Sequence, residues 1–253
     1  MPFRNSPEMS NWGCIAAVFD LDGTFSPLPS LERRLFHSLR VQGLITRAGY
    51  LSWFASAVRL LPRGLGAAHH ESKGYLQNFS ARDVALYCEQ EVRSSVQPFF
   101  EPALDRLLWH ILEGHAVAIL SGTLEPLARA AVSTLESVLA ARGQEVQLLT
   151  RATQLAEDQG RCTGRVAGHA MFGSAKAGAL RELAEHNKWD LRQCFAYGDS
   201  YADRFMLGSV GRPIAVNPSP ALRRVARKRG WPIVFWRTAP QPAQFSAKES
   251  ALA

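Results

Sequence analysis

The 253-residue sequence has little cysteine and no long apolar segment. Its four cysteines are scattered, and no two stand in the CxxC spacing of a zinc or redox site. This distribution favours reduced thiols in a cytoplasmic protein over a disulfide-bonded secreted one. No run approaches the ~20 apolar residues of a membrane-spanning helix, and the N-terminus lacks the apolar core of a secretory signal. We therefore expect a cytoplasmic protein with neither a zinc site nor a transmembrane segment.

Acidic residues are also scarce, since 29 lysines and arginines outnumber 22 aspartates and glutamates, which gives a net charge of +7. Such an excess favours anionic ligands or surfaces. No basic-aromatic array accompanies it, so we expect no nucleic-acid partner. The sequence shows no Ser–His pair, no setting for a thiol nucleophile and no histidine-rich metal site. These absences direct attention to the carboxylates.

Short apolar runs that are typical of buried strands recur along the chain, at residues 15–19, 115–120, 146–149, 194–197, 213–216 and 232–236. Helical patterns lie between most of them, at residues 102–113, 124–141, 174–186, 202–207 and 220–229. A turn signal, Asp158-Gln159-Gly160, predicts a hairpin within residues 152–168. Strands that alternate with helices indicate an α/β protein with a three-layer, Rossmann-like core and a parallel sheet covered on both faces.

One interval breaks this alternation, because residues 27–98 show helical patterns at 31–42, 51–61 and 81–92 but no clear strand. We predict a helical cap there, a discontinuous core formed by residues 1–26 and 99–237, and a disordered tail at 238–253. The cap carries an apolar stripe with arginines beside it: Trp53, Phe54, Val58, Leu60 and Leu61, with Arg47, Arg59 and Arg63. This stripe is either the core of the cap, an apolar wall for a substrate, or a weak membrane-surface contact.

The first predicted strand ends in two carboxylates, Asp20 and Asp22, followed by Gly23 and Thr24. Side chains two residues apart in an extended chain point the same way, so both carboxylates face one place. In open α/β sheets, ligands bind just beyond the carboxyl ends of the strands. Two negative charges held so close require a shared proton or a cation.

Three further polar signals follow predicted strands or open predicted helices. Ser121 and Gly122 stand before a helix start, Lys176 opens another helix, and Asp199 and Asp203 are placed to share a helix face. Carboxylate oxygens suit Mg²⁺, which leaves positions for water and a substrate phosphate. A hydroxyl, free backbone N–H groups and a lysine suit a phosphoryl group.

In this order, DLDGT at residues 20–24, Ser121, Lys176 and GDSxxD at residues 198–203 resemble the four motifs of the haloacid dehalogenase (HAD) superfamily. The Asp-x-Asp pair resembles the phosphatase branch, and the insertion at residues 27–98 resembles the cap of its phosphoserine-phosphatase-like subfamily IB. The resemblance covers residues 14–236. Each motif alone is common, but all four in order at predicted strand ends are specific.

The resemblance implies a Mg²⁺-dependent phosphatase that hydrolyses a small phosphorylated metabolite through an aspartyl-phosphate. It implies Asp20 as nucleophile and Asp22 as general acid and base. The other implied roles are phosphoryl binding by Ser121, Gly122 and Lys176, Mg²⁺ binding by Asp20, Asp199 and the backbone carbonyl of Asp22, and support by Thr24 and Asp203. The resemblance implies that Asp203 orients Lys176 or a metal-bound water. Phosphoserine-specific enzymes carry an acidic residue soon after the second Asp, but residues 26–31 offer none and Glu32 comes later. This departure argues against phosphoserine as the substrate.

Two alternatives belong to other classes of protein. A phosphoryl-accepting signalling receiver also uses clustered aspartates, a hydroxyl, a lysine and Mg²⁺. The order of the motifs argues against it, because the Asp pair follows the first strand and the helical insertion intervenes. A non-catalytic phosphate-binding protein on the same fold would be favoured by an altered catalytic position, and none is altered.

Overall fold

A computed structural model describes residues 15–63, 71–95 and 98–237. Cys14 and the tail predicted at 238–253 lie outside these residues. The strands are β1 (Ala16–Phe19), β2 (Ala116–Leu124), β3 (Leu149–Thr153), β4 (Leu155–Asp158), β5 (Arg161–Val166), β6 (Phe195–Gly198), β7 (Arg212–Val216) and β8 (Ile233–Val234). The described helices are α1 (Leu31–Val41), α2 (Arg47–Leu60), α3 (Ala81–Arg93), α4 (Glu101–Leu112), α5 (Glu125–Ala141), α6 (Ser174–Asn187), α7 (Arg204–Leu207) and α8 (Pro220–Arg229).

A parallel six-stranded sheet forms the centre of the fold, in the order β3-β2-β1-β6-β7-β8. The chain builds one half outward from β1 to β3 and the other half outward from β6 to β8. The order therefore reverses between β1 and β6, and the crevice at such a switch point is where open sheets bind ligands. This arrangement confirms the predicted α/β fold class.

Strand β1 has no exposed side chain, as expected for a central parallel strand with both faces covered. Ala17 and Phe19 belong to one apolar cluster, whereas Ala16 and Val18 belong to another on the opposite face of the sheet. The first cluster extends into the helices inserted after β1 through one face of α1 and one face of α3: Leu31, Leu35, Leu39, Val84, Cys88 and Val92. These helices are thus held by burial at every fourth residue.

Several predicted boundaries are wrong. Strand β3 begins at Leu149, where the sequence predicted the end of that strand, and β8 has only two residues. Strand β2 continues to Leu124 because Ser121-Gly122-Thr123 stays extended through an irregularity in its pairing with β3. Helix α2 begins at Arg47 rather than at residue 51, since the Thr46 side chain accepts a hydrogen bond from the Gly49 N–H and caps the helix.

The predicted hairpin is present as β4 and β5, with its turn at Gln159 and Gly160. It lies against the insertion, because the Ala81 N–H donates to the Gly160 carbonyl at 2.9 Å. The Asn78 N–H likewise donates to the carbonyl of Cys162 at 2.9 Å. Cys88, Cys162 and Cys194 are buried and free. Among the described residues, none of the helices is long and apolar enough to cross a bilayer.

A buried histidine makes stability dependent on pH. The His110 side chain is fully buried, with Nε2 2.8 Å from the Tyr197 hydroxyl and Nδ1 2.8 Å from Nδ1 of His115. Burial, together with smaller effects of the neighbouring His115 and Arg106, lowers the pKa of His110 from 6.5 to about 3. As the pH falls, the unfolded chain therefore binds this proton before the folded chain does.

The stabilisation from neutral His110 is complete above pH 6.5 and is lost progressively toward pH 3. Between pH 7 and pH 5, the wild-type protein is expected to lose about 2 kcal/mol more unfolding free energy than the His110→Gln variant. Urea unfolding at each pH measures this difference. His186→Gln, which changes an exposed histidine, should keep the wild-type slope. Equal slopes for wild type and His110→Gln would contradict the assignment.

Candidate active site

Asp20 stands at the carboxyl end of β1, beside the switch point of the sheet. Its N–H donates to the Tyr197 carbonyl of β6 at 2.9 Å, so the ladder between the two strands fixes its backbone. The side chain is only 5% exposed, and its Oδ1 lies 2.5 Å from Nζ of Lys176. The buried central strand β1 therefore positions the Asp20 carboxylate directly against the buried Lys176 ammonium group.

Lys176 lies between two carboxylates, because its Nζ also donates to Oδ1 of Asp203 at 2.7 Å. The lysine comes from the first turn of α6, which begins after Gly173. Burial alone would lower the pKa of Lys176, but the charges and hydrogen bonds of Asp20 and Asp203 raise it above its ordinary value. Lys176 therefore stays charged at neutral pH.

Asp199 and Asp203 converge on the same place, although not on a helix face as predicted. Residues 201–203 form one 3₁₀ turn and α7 begins only at Arg204, so Asp199 precedes the helix. The turn is closed by a capping box in which Oδ2 of Asp203 accepts from the N–H and the hydroxyl of Ser200, at 2.9 and 2.6 Å. This leaves Oδ1 of Asp203 for Lys176.

Three carboxylates thus meet at the sheet edge, since Asp20, Asp199 and Asp203 each offer an oxygen within 4.8 Å of the others. Burial raises the pKa of Asp20 and of Asp199, and the neighbouring carboxylates raise it as well. Lys176 acts in the opposite direction, but one lysine does not compensate three carboxylates. Burial also opposes the charge of Asp203, but Lys176 and Ser200 hold its pKa below the ordinary value. Oxygen-only ligands with excess negative charge fit Mg²⁺.

Asp22 lies in the loop after β1 and is hydrogen-bonded to the insertion. Its Oδ1 accepts a hydrogen bond of 2.7 Å from the Leu31 N–H, at the start of α1. Burial raises the pKa of Asp22 to about 6. Gly23 lets the loop pass close to Asp199, because its φ is +83° and a Cβ there would lie 2.2 Å from Oδ2 of Asp199.

Ser121 and Gly122 lie in the extended segment at the end of β2. The Ser121 side chain is fully buried, and its hydroxyl accepts from the Thr123 N–H at 3.1 Å. The Thr153 hydroxyl donates to the Gly122 carbonyl at 2.8 Å and accepts from the Met171 N–H at 3.0 Å. Thr153 therefore ties the Ser121 segment to the loop before α6. Sequence reasoning missed it because the strand was placed too early.

Buried hydroxyl groups near these motifs have no partner within the described residues. They include those of Thr24 and Thr123. An unsatisfied buried hydroxyl costs about 1–3 kcal/mol, which a bound polar group or water would recover. Thr24 was a predicted supporting residue, whereas Thr123 was not singled out. Thr24 lies in the loop after β1 and Thr123 lies near the end of β2, and both segments carry candidate site residues.

Glu32 follows Leu31 on α1 and is neutralised by partners from the insertion. Its carboxylate contacts Nζ of Lys73, which is only 1% exposed, and accepts a 2.9 Å hydrogen bond from the Tyr75 hydroxyl. Its negative charge nevertheless contributes to the raised pKa of Asp22, after the larger effect of burial. Glu32 is thus an already paired carboxylate close to the second aspartate.

Comparison with known proteins agrees with this geometry. A model of haloacid dehalogenase-like hydrolases matches residues 17–208. A probable phosphatase of Mycobacterium tuberculosis is 33% identical over 235 residues, which cover 87% of this chain and 74% of that protein. A crystal structure of a Bordetella pertussis protein of unknown function has a TM-score of 0.66 at 27% identity, over 87% of this chain and 97% of that one.

A phosphoserine phosphatase in its apo form shares the fold, with a TM-score of 0.58 at 18% identity over 88% of this chain and 94% of that one. The family model covers well over half of the sequence and includes Asp20, Ser121, Lys176 and both later aspartates. The predicted resemblance and the predicted class of hydrolytic enzyme are therefore confirmed. The chain belongs to the haloacid dehalogenase-like hydrolases.

Proposed function

We propose that the protein is a Mg²⁺-dependent phosphatase that hydrolyses a small phosphate monoester through an aspartyl-phosphate on Asp20. The observation that carries this proposal is the buried cluster at the switch point. Nζ of Lys176 lies 2.5 Å from Oδ1 of Asp20, and Asp199 places a carboxylate oxygen within 4.8 Å of an oxygen of Asp20. The similarity to a probable phosphatase supports the same reaction.

In the first step, an oxygen of Asp20 forms a bond to phosphorus while the bond from phosphorus to the leaving oxygen breaks. Asp22 donates a proton to that leaving oxygen. In the second step, water attacks phosphorus, Asp22 accepts a proton from the water, and the bond from phosphorus to Asp20 breaks. Inorganic phosphate leaves and both aspartates return to their starting states.

The remaining residues stabilise the phosphoryl group. Lys176 offsets the charge of Asp20 and contacts the transferring oxygens, and Ser121 with the Gly122 N–H binds the same group. Asp20, Asp199 and the carbonyl of Asp22 are the groups that would hold Mg²⁺. A bound Mg²⁺ would supply positive charge against the phosphoryl oxygens and the carboxylates.

The insertion at residues 27–98 serves in this proposal as a cap that binds the rest of the substrate. Its first helix already contacts the proposed acid, through the hydrogen bond from Leu31 to Asp22. Glu32 is occupied by Lys73 and Tyr75, so it is not a free carboxylate for a substrate amine. We infer that the substrate is a small phosphorylated metabolite whose binding does not depend on a contact between an amine and Glu32.

The role of Asp22 is tested by its dependence on the leaving group. In Asp22→Asn, kcat/KM for an alkyl phosphate should fall by about a hundredfold or more, because a poor leaving group needs protonation. The value for 4-nitrophenyl phosphate should fall by less than about tenfold, since nitrophenolate leaves without a proton. Initial rates with both esters measure the difference, and kcat/KM reports the first transfer alone.

Asp83→Asn, which changes an exposed aspartate of α3, is the matched control and should resemble wild type with both esters. An equal loss for the two esters in well-folded Asp22→Asn would assign Asp22 a structural role in the loop after β1. The general-acid assignment would then be wrong, although the nucleophilic role of Asp20 would remain open to its own test.

A further inference from the structure

Helix α2 packs with its small residues inward and its large apolar residues outward. Gly49 and Ser56 are buried, whereas Leu51 and Phe54 are 71% and 68% exposed. A surface helix in a globular protein normally buries its large apolar side chains. The exposed stripe of α2 and the residue that follows it consists of Leu51, Phe54, Val58 and Leu61.

Close backbone packing fixes this orientation. Gly74 lies against the middle of α2, where a Cβ on Gly74 would be 2.4 Å from the backbone N of Trp53. The Ser72 hydroxyl also donates to the Trp53 carbonyl at 2.9 Å. Only small side chains fit the face of α2 that makes this contact. The exposed stripe is therefore a consequence of a tightly packed inner face.

The sequence on either side of the stripe carries charge of one sign. Residues 33–70 contain six arginines and no aspartate or glutamate. Arg47 begins α2 and Arg59 lies in its last turn, and both are exposed. The apolar stripe is thus bordered at both ends of the helix by positive charge, which is complementary to an anionic surface.

A second copy of the chain fits this face poorly. In a two-fold contact through α2, each protomer would bring its own Arg47 and Arg59 to the same interface, where like charges repel. An anionic bilayer satisfies both features, because apolar side chains enter the boundary of the acyl chains while arginines contact lipid phosphates. We propose that α2 docks the protein on an anionic membrane surface through the exposed stripe, with Arg47 and Arg59 against the head groups.

Vesicle sedimentation with the full chain tests this proposal. Wild-type protein should bind vesicles of equal parts phosphatidylglycerol and phosphatidylcholine at least about tenfold more strongly than phosphatidylcholine alone, since each basic residue adds attraction to an anionic surface. Binding should weaken as salt is raised from 0.05 to 0.5 M, because salt screens this attraction. No binding to the anionic vesicles, or equal binding to both kinds, would overturn the proposal.

Two double variants separate the apolar and charged contributions. Leu51→Ser with Phe54→Ser should lower the partition coefficient by about tenfold or more, and Arg47→Gln with Arg59→Gln should lower it several-fold. Leu112→Ser, at an exposed leucine of α4, and Arg224→Gln with Arg227→Gln, on α8, are the matched controls. Both controls should bind within about twofold of wild type. Circular dichroism checks the folding of each variant.

If the Leu51 and Phe54 variant bound vesicles as well as its control, the stripe would not be the contact and the proposal would be wrong. Light scattering without vesicles tests the competing possibility, which is that the stripe is a dimer interface. A stable dimer that the same variant loses would assign the face to a second copy and would also overturn membrane docking. None of these results depends on phosphatase activity, so they stand apart from the test of the proposed function.

Discussion

Replacing Asp20 by asparagine is expected to lower kcat/KM by at least about a thousandfold while the protein stays folded. The amide keeps the volume of the side chain but is too poor a nucleophile to attack phosphorus. The fold should tolerate the change, because Asp20→Asn removes one of three crowded carboxylates while Lys176 keeps its 2.7 Å contact with Asp203. The midpoint of thermal unfolding should change by only a few degrees.

Steady-state rates with 4-nitrophenyl phosphate measure the loss, and an acid-quenched single turnover with ³²P-labelled ester measures the intermediate. Wild-type protein should carry an acid-stable, hydroxylamine-labile label that Asp20→Asn lacks. Asp83→Asn is again the matched control. Activity of Asp20→Asn within tenfold of wild type would refute the nucleophilic role. A label on wild-type protein that persists without release of phosphate would instead favour the signalling-receiver alternative.

The convergence of Asp20, Lys176 and Asp199 was predictable from sequence because of one property of parallel sheets. The carboxyl ends of the strands lie at one edge, so polar residues that follow different strands meet there. The local signal needed only an apolar run followed by a carboxylate, as in residues 15–20 and 194–199. The exact limits of each strand were not required, and the early placement of β3 did not disturb the prediction.

Contacts that depend on tertiary register were beyond the sequence. Thr153 acts through the Gly122 carbonyl and the Met171 N–H, and neither partner is visible until β3 is correctly placed beside β2. The family resemblance did imply that Asp203 orients Lys176 or a metal-bound water, and the structure shows the contact with Lys176. The local geometry differs from the prediction, because Asp203 lies in a 3₁₀ turn closed by the capping box at Ser200 and does not share a helix face with Asp199. In both places a polar side chain forms hydrogen bonds with backbone groups, and the pattern of apolar and polar residues does not reveal such bonds.

The apolar residues of α2 show a different limit. Periodicity locates an apolar stripe but does not say which side of it faces the protein. The structure excludes the interpretation of Phe54, Val58 and Leu61 as the core of the cap, since all three are exposed. The reason lies in the close approach of Gly74 to the opposite face, a contact between residues distant in the sequence. Tertiary contacts therefore determine which face of this helix is buried.

Lys176→Met is expected to impair both folding and catalysis. Methionine keeps an unbranched side chain but removes the charge that lies 2.5 Å from Asp20 and 2.7 Å from Asp203. Removing one partner of a buried ion pair leaves uncompensated charge, so the free energy of unfolding should fall by about 3 kcal/mol. In the proposed reaction, kcat/KM should fall by at least about a hundredfold, because the phosphoryl oxygens lose a cation. Urea unfolding and steady-state rates measure the two losses.

A second substitution separates these effects. Asp203 is fully buried and contacts Lys176 rather than the proposed phosphoryl site, so adding Asp203→Asn to Lys176→Met removes a stranded charge without restoring a cation. The double variant should recover about 1–2 kcal/mol of stability but no activity. Lys228→Met, at an exposed lysine of α8, should leave both quantities near wild type.

If the double variant were as unstable as Lys176→Met, the buried charge of Asp203 would not be the source of the instability. If Lys176→Met kept activity within tenfold of wild type, the phosphoryl-binding role of the lysine would be wrong. The predicted separation of the loss of stability from the loss of activity follows from geometry, because a single Nζ atom contacts two carboxylates with different roles. Toward Asp203 it compensates a charge that the fold has buried, and toward Asp20 it compensates the charge of the proposed nucleophile.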